Sequence, residues 1–381
     1  MGERFGVDRL SEADARRRTG VKWAQPEDGV IPAWIADMDF PVAPAIVAAV
    51  RERAELDLGY PVWLDRPQAG PLAEAFAERM ERRHGWRPDP EHVRAYSDIN
   101  QALQVLLHVM TEPGDGVALH VPNYPPFLET LAQMGRTPVH VPMRPEGGTW
   151  TFDPELIDGR CRVLLLVNPH NPTGRVLTRD ELGRIAELAE RHDLLVISDE
   201  IHADLVYEPH RHIPFATLLP ERTITLTSAT KAFNLGGIRC SVAHIGAARA
   251  RKALAAQPAH LFGAANLLGV EATVAAWRHG DAWLEEVVGV LDRNRRLLAD
   301  RLPPEVGYRM PEATYLAWLD FGGLGLDEEP AEFLYREARV MASPGPLFGP
   351  GGPGHVRLNF ATSLPIFEEI LGRIGRACTT P

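Results

Sequence analysis

Short apolar runs alternate with amphipathic segments through the middle of the chain. Continuous apolar or β-branched runs occur at VALHV (117–121), VLLLV (163–167), LLVIS (194–198) and TITLT (223–227). Runs of this length without polar alternation are typical of strands that are buried on both faces of a parallel sheet. Residues 178–193 have helical spacing of apolar side chains, and Thr178 with Glu181 predicts a capping box at the start of that helix. The pattern therefore predicts an α/β lobe.

The pattern changes near residue 285. The later part predicts, in order, a long helix containing 287–302, a strand at 314–321, a helix at 331–340 and a Gly/Pro-rich loop at 343–355. This order is typical of a smaller α+β lobe, and the loop interrupts the lobe, which favours the edge of an active site over a plain linker. At this length we expect more than one domain. The predicted parts are an N-terminal arm with a small-domain segment (1–45), a large α/β domain (46–284) and a small C-terminal α+β domain (285–381).

Composition narrows the classes of function. The net charge of −11, without a compact basic run, disfavours a nucleic-acid partner. No apolar run reaches the roughly 18 residues of a membrane span, and the N-terminus lacks a signal-peptide pattern, so we expect a cytoplasmic protein with no membrane partner. Cys161, Cys240 and Cys378 form no CxxC pair. This spacing argues against a disulfide framework and against a zinc site, and we expect no metal.

Lysine is rare in this sequence. Only Lys22, Lys231 and Lys252 are lysines among 40 basic residues. An amine loses its proton far more readily than a guanidinium. A lysine that is kept in a sequence that otherwise uses arginine is therefore a candidate for amine chemistry.

Three polar clusters each begin where a predicted buried strand ends. They are NPHNPTG (168–174), DEIH (199–202) and SATK (228–231). The carboxyl ends of parallel strands meet at one edge of a sheet, where ligands of α/β proteins collect. Singly, each cluster has a plain alternative, such as a helix cap at Asp199 or a turn around Asn171. Together they predict one pocket.

The residues of this pocket fit pyridoxal 5′-phosphate. Lys231 would carry the cofactor as a Schiff base and later transfer the substrate's proton. Asp199 would pair with the pyridine nitrogen, and Asn171 would donate to the phenolic oxygen. Tyr124, directly after the strand at 117–121, would lay its ring over the cofactor, although a core tyrosine is the alternative. Lys231, Tyr124 and Asp199 are thus the catalytic candidates.

Three further residues are predicted to bind charged groups. Ser228 and Arg239 flank Lys231 closely enough to hold the phosphate. Arg357, in HVRLNFAT, is the predicted clamp for the α-carboxylate of a small amino-acid substrate, reaching the site from the small lobe. A structural role is the alternative for Ser228 and Arg239, and a surface ion pair is the alternative for Arg357.

With these motifs the sequence resembles the fold-type I pyridoxal-phosphate enzymes of the class I/II aminotransferase family, and within it the cystathionine β-lyase-like branch (MalY/PatB type). Further matching segments are VKW (21–23), WIADMDFPVAP (34–44), SDEIHADL (198–205), SPGPLFG (343–349) and RLNFA (357–361). The resemblance implies an α/β fold with a large domain built on a mixed, mostly parallel sheet and a smaller α+β domain. It also implies a cofactor-binding role for His202, where the wider family often has tyrosine; a structural histidine is the alternative.

The resemblance also implies a homodimer with shared active sites, in which Tyr60 reaches the phosphate of the partner's cofactor. It suggests a cis peptide bond between Asn171 and Pro172, an isomer far more accessible before proline than elsewhere.

One segment departs from the family pattern. Relatives have a glycine-containing GVV before the helix that cradles the phosphate, whereas this chain has SDIN at 97–100. The backbone N–H groups of Ile99 and Asn100 could still bind phosphate at the helix N-terminus. The carboxylate of Asp98 beside a phosphate dianion is unfavourable unless it turns away or caps the helix.

The resemblance favours a carbon–sulfur β-lyase that cleaves a cysteine thioether or S-conjugate to a thiol, pyruvate and ammonia. An aminotransferase shares the first proton transfer and is the main alternative. A decarboxylating or oxidising enzyme acting on a cysteine conjugate in secondary metabolism is another. A non-catalytic cofactor-binding regulator is least favoured, because Lys231 is present and no DNA-binding extension is.

Overall fold

The computed structural model of the protein describes residues 4–63 and 70–379. Its α-helices are α1 (Glu12–Arg16), α2 (Val21–Ala24), α3 (Pro44–Leu56), α4 (Pro71–His84), α5 (Ile99–Met110), α6 (Pro125–Gln133), α7 (Arg179–Arg191), α8 (Ala248–Ala255), α9 (Leu267–His279), α10 (Asp281–Arg301), α11 (Pro330–Phe333) and α12 (Leu364–Thr379). Its strands are β1 (Ile31–Pro32), β2 (Val93–Tyr96), β3 (Gly116–Val121), β4 (Thr137–Pro142), β5 (Arg144–Glu146), β6 (Thr149–Thr151), β7 (Cys161–Val167), β8 (Leu195–Asp199), β9 (Thr223–Thr227), β10 (Ser241–Ile245), β11 (Gly307–Tyr308), β12 (Leu316–Asp320), β13 (Val340–Met341), β14 (Ser343–Pro344) and β15 (His355–Asn359).

Seven of the described strands form the main sheet, in the order β2-β10-β9-β8-β7-β3-β4. Strand β10 is antiparallel to both neighbours, and the other pairs are parallel. The four predicted strands are β3, β7, β8 and β9, each within two residues of its predicted bounds. Every residue of β3 and β8 is buried, because apolar clusters that include α5 on one side and α7 on the other cover the two faces. The predicted α/β class and mixed sheet are confirmed.

Helix α7 starts as predicted. Thr178 caps it and Glu181 completes the capping box. The helix ends two residues before its predicted end at 193, because Asp193 adopts a φ of 55°, a left-handed conformation that a helix does not continue through.

A second sheet follows in the C-terminal part, where the described strands β11-β12-β15-β14 pair antiparallel. The predicted strand at 314–321 is β12, and the predicted long helix is α10. The predicted helix at 331–340 is partly wrong. Helix α11 stops at Phe333 and a π-helical turn covers Leu334–Ala338. The chain must leave the helix there because Val340 pairs with Ile31 of β1.

The N-terminal segment belongs structurally to both lobes. Strand β1 pairs with β13, and residues of this segment share one apolar core with α4, α9, α10 and α12. The predicted boundary at 284/285 falls within the first turn of α10, and the three-part division stays a prediction. None of the helices that the structure describes is long and apolar enough to cross a membrane.

Candidate active site

The three polar clusters meet at one edge of the main sheet. Strands β7, β8 and β9 are neighbours, with Val167 opposite Asp199 and Asp199 opposite Leu226. Because β10 runs in the opposite direction, Arg239, just before its first residue, arrives at the same edge. The sheet order therefore gathers the candidates that precede or follow these strands into one cleft.

Lys231 extends its amine into this cleft. Its Nζ donates to the carbonyl oxygen of Ala36 at 2.8 Å. Burial lowers the pKa of this amine, the charge of Arg357 lowers it further, and the carboxylates of Asp37 and Asp199 oppose the shift. The amine can therefore give up its proton more readily than an exposed lysine.

The other two lysines are placed differently. The amine of Lys22 lies 2.9 Å from a carboxylate oxygen of Asp39, and Lys252 is exposed on α8. Of the three lysines, Lys231 therefore has the environment of a reactive amine.

Asp199 is the last residue of β8 and is 5% exposed. Burial raises the pKa of its carboxyl to about 7, against the lowering effect of a hydrogen bond from the Ile201 N–H at 3.1 Å. Glu200 raises it further, and the charge of Lys231 lowers it. Asp199 ends β8 and Lys231 follows the neighbouring strand β9, so both groups lie at the same edge of the sheet. A buried carboxylate of this kind is stabilised by a cationic partner, which a protonated pyridine nitrogen supplies.

Arg357, on β15, reaches the same cleft from the second sheet. Its guanidinium donates to Asn171 Oδ1 at 3.2 Å, to the Trp34 carbonyl at 3.1 Å and to Ser343 Oγ at 3.3 Å. It also lies over the ring of Phe348, 4.9 Å from the centroid. Burial lowers its pKa to about 10, which leaves it charged at neutral pH. The side chain is thus oriented as a cation at the rim of the predicted cofactor site.

His202 and Tyr124 are uncharged in this site. Burial, followed by the charges of Lys231 and Arg357, lowers the pKa of His202 to about 3. Burial raises the pKa of Tyr124, whose ring packs edge-on against Phe127 at 5.2 Å. Both side chains can therefore contact an aromatic ligand without adding charge.

The predicted phosphate end lies where α5 begins. Ile99 and Asn100 are the first two residues of α5, so their N–H groups face outward from the helix N-terminus. Asp98 caps this helix, which is one of the two arrangements that the sequence allowed for it, and it forms an ion pair with Arg239.

Ser228 lies at the same edge of the sheet. Its hydroxyl donates to the Cys240 carbonyl at 2.6 Å and accepts from the Thr230 N–H at 3.1 Å.

Several polar atoms of the cleft are buried and have no partner in the described part of the chain. They are Asn100 Oδ1, His202 Nδ1 and Arg357 Nε. Buried polar atoms are nearly always hydrogen-bonded in folded proteins, so these three atoms of the cleft are free to bind a polar ligand. Together with the amine of Lys231 and the carboxylate of Asp199, they fit pyridoxal phosphate with its ring hydroxyl, ring nitrogen and phosphate.

One hydrogen-bonding group of the site has no signal in the sequence. The Ala36 carbonyl accepts from both Lys231 and the hydroxyl of Tyr315, each at 2.8 Å. A backbone carbonyl carries no residue-type signal, so only the motif WIADMDFPVAP hinted at this segment. Tyr60, which the resemblance sends to the partner's phosphate, is 91% exposed after α3 in its own chain. The Asn171–Pro172 peptide bond is cis, as the resemblance suggested.

Comparison with known proteins identifies the family. The family model described as aminotransferase class I and II matches residues 36–374. The cystathionine beta-lyase PatB of Bacillus subtilis is 35% identical over 94% of this chain and 96% of its own, and protein MalY of Escherichia coli is 31% identical over 87% of each. The solved PLP-bound C-S lyase from Staphylococcus hominis is 30% identical, covers 99% of both chains and superposes with a TM-score of 0.90. With nearly its whole length matched in sequence and in structure, the chain belongs to the aminotransferase class I and II family.

Proposed function

We propose that the protein is a pyridoxal-phosphate-dependent carbon–sulfur β-lyase that cleaves a cysteine thioether or S-conjugate to a thiol, pyruvate and ammonia. The observation that carries this choice is the similarity, over almost the entire chain, to a cystathionine β-lyase and a C–S lyase. The position of Lys231 and Asp199 at one edge of the main sheet, after neighbouring strands, supports the cofactor.

The residues of this chain divide the work of holding the cofactor. Asp199 would face the ring nitrogen and Asn171 the phenolic oxygen, while Tyr124 and His202 would contact the ring. Ser228, Arg239 and the N–H groups of Ile99 and Asn100 would hold the phosphate. Pyridoxal phosphate, when bound, withdraws electrons from the substrate's α-carbon and so acidifies the α-hydrogen.

The substrate would be held and deprotonated by two side chains. Arg357 would bind the α-carboxylate with two parallel N–H bonds and so orient the α-hydrogen. Lys231 would accept that hydrogen as a proton, which requires the neutral amine favoured by burial. The carbon–sulfur bond at the β-carbon would then break with its electron pair going to sulfur, and the sulfur would take up a proton. The three-carbon fragment would hydrolyse to pyruvate and ammonia.

We infer that the protein works as a homodimer. The end of α3 and the segment after it expose four large apolar side chains: Leu56 at 70%, Leu58 at 63%, Tyr60 at 91% and Val62 at 106% of their full areas. An apolar patch of this kind favours burial against another protein surface, and a second copy of the chain would receive Tyr60 near its phosphate end. The cytoplasmic location and the three-part domain division stay predictions from the sequence.

An aminotransferase is the second candidate, since the matching family model takes its name from that activity. Both reactions begin with removal of the α-hydrogen, so the residues named above serve either one. They differ in what must be added: a β-lyase needs no second substrate, whereas an aminotransferase needs a keto acid.

The deciding experiment offers cystathionine and a panel of cysteine S-conjugates to the holoenzyme without any keto acid. Release of pyruvate and free thiol is the expected result. Activity only after a keto acid is added would instead assign the protein as an aminotransferase. The Lys231→Ala variant should lack both the visible absorption band of the lysine-bound cofactor and turnover, and full activity in it would contradict the proposed site.

A further inference from the structure

An aspartate occupies the helix N-terminus where the cofactor's phosphate is expected. Asp98 Oδ1 accepts from the Gln101 N–H at 2.8 Å. Asp98 Oδ2 lies 3.1 Å from Ser97 Oγ and pairs with the guanidinium of Arg239. A helix N-terminal N–H, a hydroxyl and a guanidinium are the kinds of donor that proteins use to bind phosphate. The carboxylate of Asp98 therefore takes donors that a phosphate group would use.

The backbone of Arg239 has an uncommon conformation, and its side chain is exposed. Its φ is 56°, a left-handed conformation that few residues other than glycine adopt. Its side chain is 56% exposed and that of Asp98 is 23% exposed. Ion pairs with this much contact with water are weak, so a phosphate dianion can displace the carboxylate from the guanidinium.

The rest of the helix terminus remains able to receive an anion. The N–H groups of Ile99 and Asn100 have no acceptor among the residues that the structure describes. The capping bond to Gln101 nevertheless fixes the charge of Asp98 close to any anion bound there, and like charges at short range repel.

We propose that Asp98 competes with the phosphate of pyridoxal phosphate for Arg239. Loading of the cofactor then requires Arg239 to exchange a carboxylate for a phosphate, and the holoenzyme releases its cofactor more readily than it would with an uncharged cap. The carboxylate of Asp98 in this way weakens the binding of the cofactor.

The Asp98→Asn variant separates charge from capping, because asparagine caps helices as well as aspartate does. Each purified holoenzyme is diluted into cofactor-free buffer, and the decay of its visible absorption band gives the rate of cofactor loss. We expect the variant to lose the cofactor roughly two- to fivefold more slowly than the wild type. Titration of the cofactor-stripped chain with pyridoxal phosphate should show a dissociation constant lower by a similar factor.

Two controls test whether the effect is specific to the phosphate. Asp153 caps a short 3₁₀ helix, accepting from the Glu155 N–H at 3.0 Å, so Asp153→Asn makes the same substitution at a cap in another part of the chain and should change neither quantity. Pyridoxal, which lacks the phosphate, should bind the wild type and Asp98→Asn equally.

Unchanged or faster cofactor loss in Asp98→Asn would overturn the proposal, as would an equal gain with pyridoxal. A double-mutant cycle tests the role of Arg239: in an Arg239→Gln background the gain from Asp98→Asn should shrink, and its persistence in full would show that Arg239 is not the contested group. These measurements follow cofactor binding alone, so their outcome is independent of whether the enzyme is a lyase or an aminotransferase.

Discussion

At the scale of single residues, the site combines side chains that follow buried strands with backbone carbonyls of the N-terminal segment. Lys231, Asp199 and Asn171 lie in recognisable clusters after the strands, and the rule that parallel strands end at one edge of a sheet was enough to predict that they meet. The carbonyls of Ala36 and Trp34, which accept from Lys231 and Arg357, have no signature because every residue has a carbonyl. Their positions follow from tertiary packing of the N-terminal segment, which local patterns do not encode.

Asp199 gives a pH-dependent prediction for the cofactor-free protein. Its pKa rises from 3.8 to about 7 on folding, so between these values the folded chain holds a proton that the unfolded chain has released. The free energy of unfolding therefore falls as the pH rises through this window, by up to roughly 4 kcal/mol, and stays low above pH 7. The Asp199→Asn variant has no carboxyl group at this position, so its free energy of unfolding does not fall in this way as the pH rises. The stripped variant should melt at a higher temperature than the stripped wild type at pH 8, by a margin that narrows toward pH 5.

The matched control is Asp327→Asn, at an exposed aspartate. Thermal melts of all three proteins between pH 5 and pH 8 measure the effect. A margin that does not depend on pH would show that the carboxyl of Asp199 titrates normally in the fold. With the cofactor bound, the wild type should melt at a higher temperature than Asp199→Asn, because the variant lacks the negative charge that partners the ring nitrogen.

Arg357→Lys tests the substrate clamp. A lysine keeps the positive charge but cannot make two parallel N–H bonds to a carboxylate. We expect kcat/KM for a cysteine thioether to fall by about 100-fold, mostly through a higher KM. Arg336→Lys, at an exposed arginine paired with Glu328, is the control and should leave both constants unchanged. A normal KM in Arg357→Lys would assign carboxylate binding to another residue.

Among the helices and strands, those with one clear local sequence pattern were predictable. Strands β3, β7, β8 and β9 are mostly buried and rich in apolar or β-branched residues because the sheet is covered on both faces. The start of α7 is marked by the capping box of Thr178 and Glu181. The segment at 331–340 shows where local signals fail. Its composition suits a helix, but the pairing of Val340 with Ile31, 309 positions away in sequence, ends the helical turns early. Such a contact between distant segments overrides propensity.

The cap of α7 is itself open to test. Thr178→Ala removes the hydroxyl that accepts the Glu181 N–H at 3.3 Å, and it should lower the free energy of unfolding by about 1 kcal/mol. Urea denaturation of the holoenzyme measures the change. Thr178→Ser keeps the hydroxyl and should restore most of the stability. If the serine and alanine variants are equally destabilised, the methyl group of Thr178 rather than its hydroxyl is responsible.

For the whole molecule, the proposed homodimer predicts that each active site needs two chains. Tyr60 is 91% exposed whereas Lys231 lies in the cleft of its own chain, so in the dimer we expect Tyr60 to complete the partner's site rather than its own. In the Lys231→Ala homodimer both sites lack the amine, and in the Tyr60→Ala homodimer both lack the tyrosine. Mixed after reversible dissociation, the two variants form heterodimers in which one site carries both substitutions and the other carries neither. With random pairing, activity should therefore recover to about a quarter of the wild-type value.

The recovery of activity in the mixture distinguishes a dimer whose chains share each active site from a dimer in which each chain has a complete site. Light scattering should first give a mass of two chains for each variant, so that a failure to pair is recognised. A mixture of Lys231→Ala with Arg357→Lys is the control, since these two residues lie in the same chain's cleft, and it should give no more than the average of the separate activities. If the Tyr60→Ala mixture behaves like that control, Tyr60 contributes nothing across the interface, and each chain completes its phosphate end with Arg239, Ser228 and the start of α5 alone.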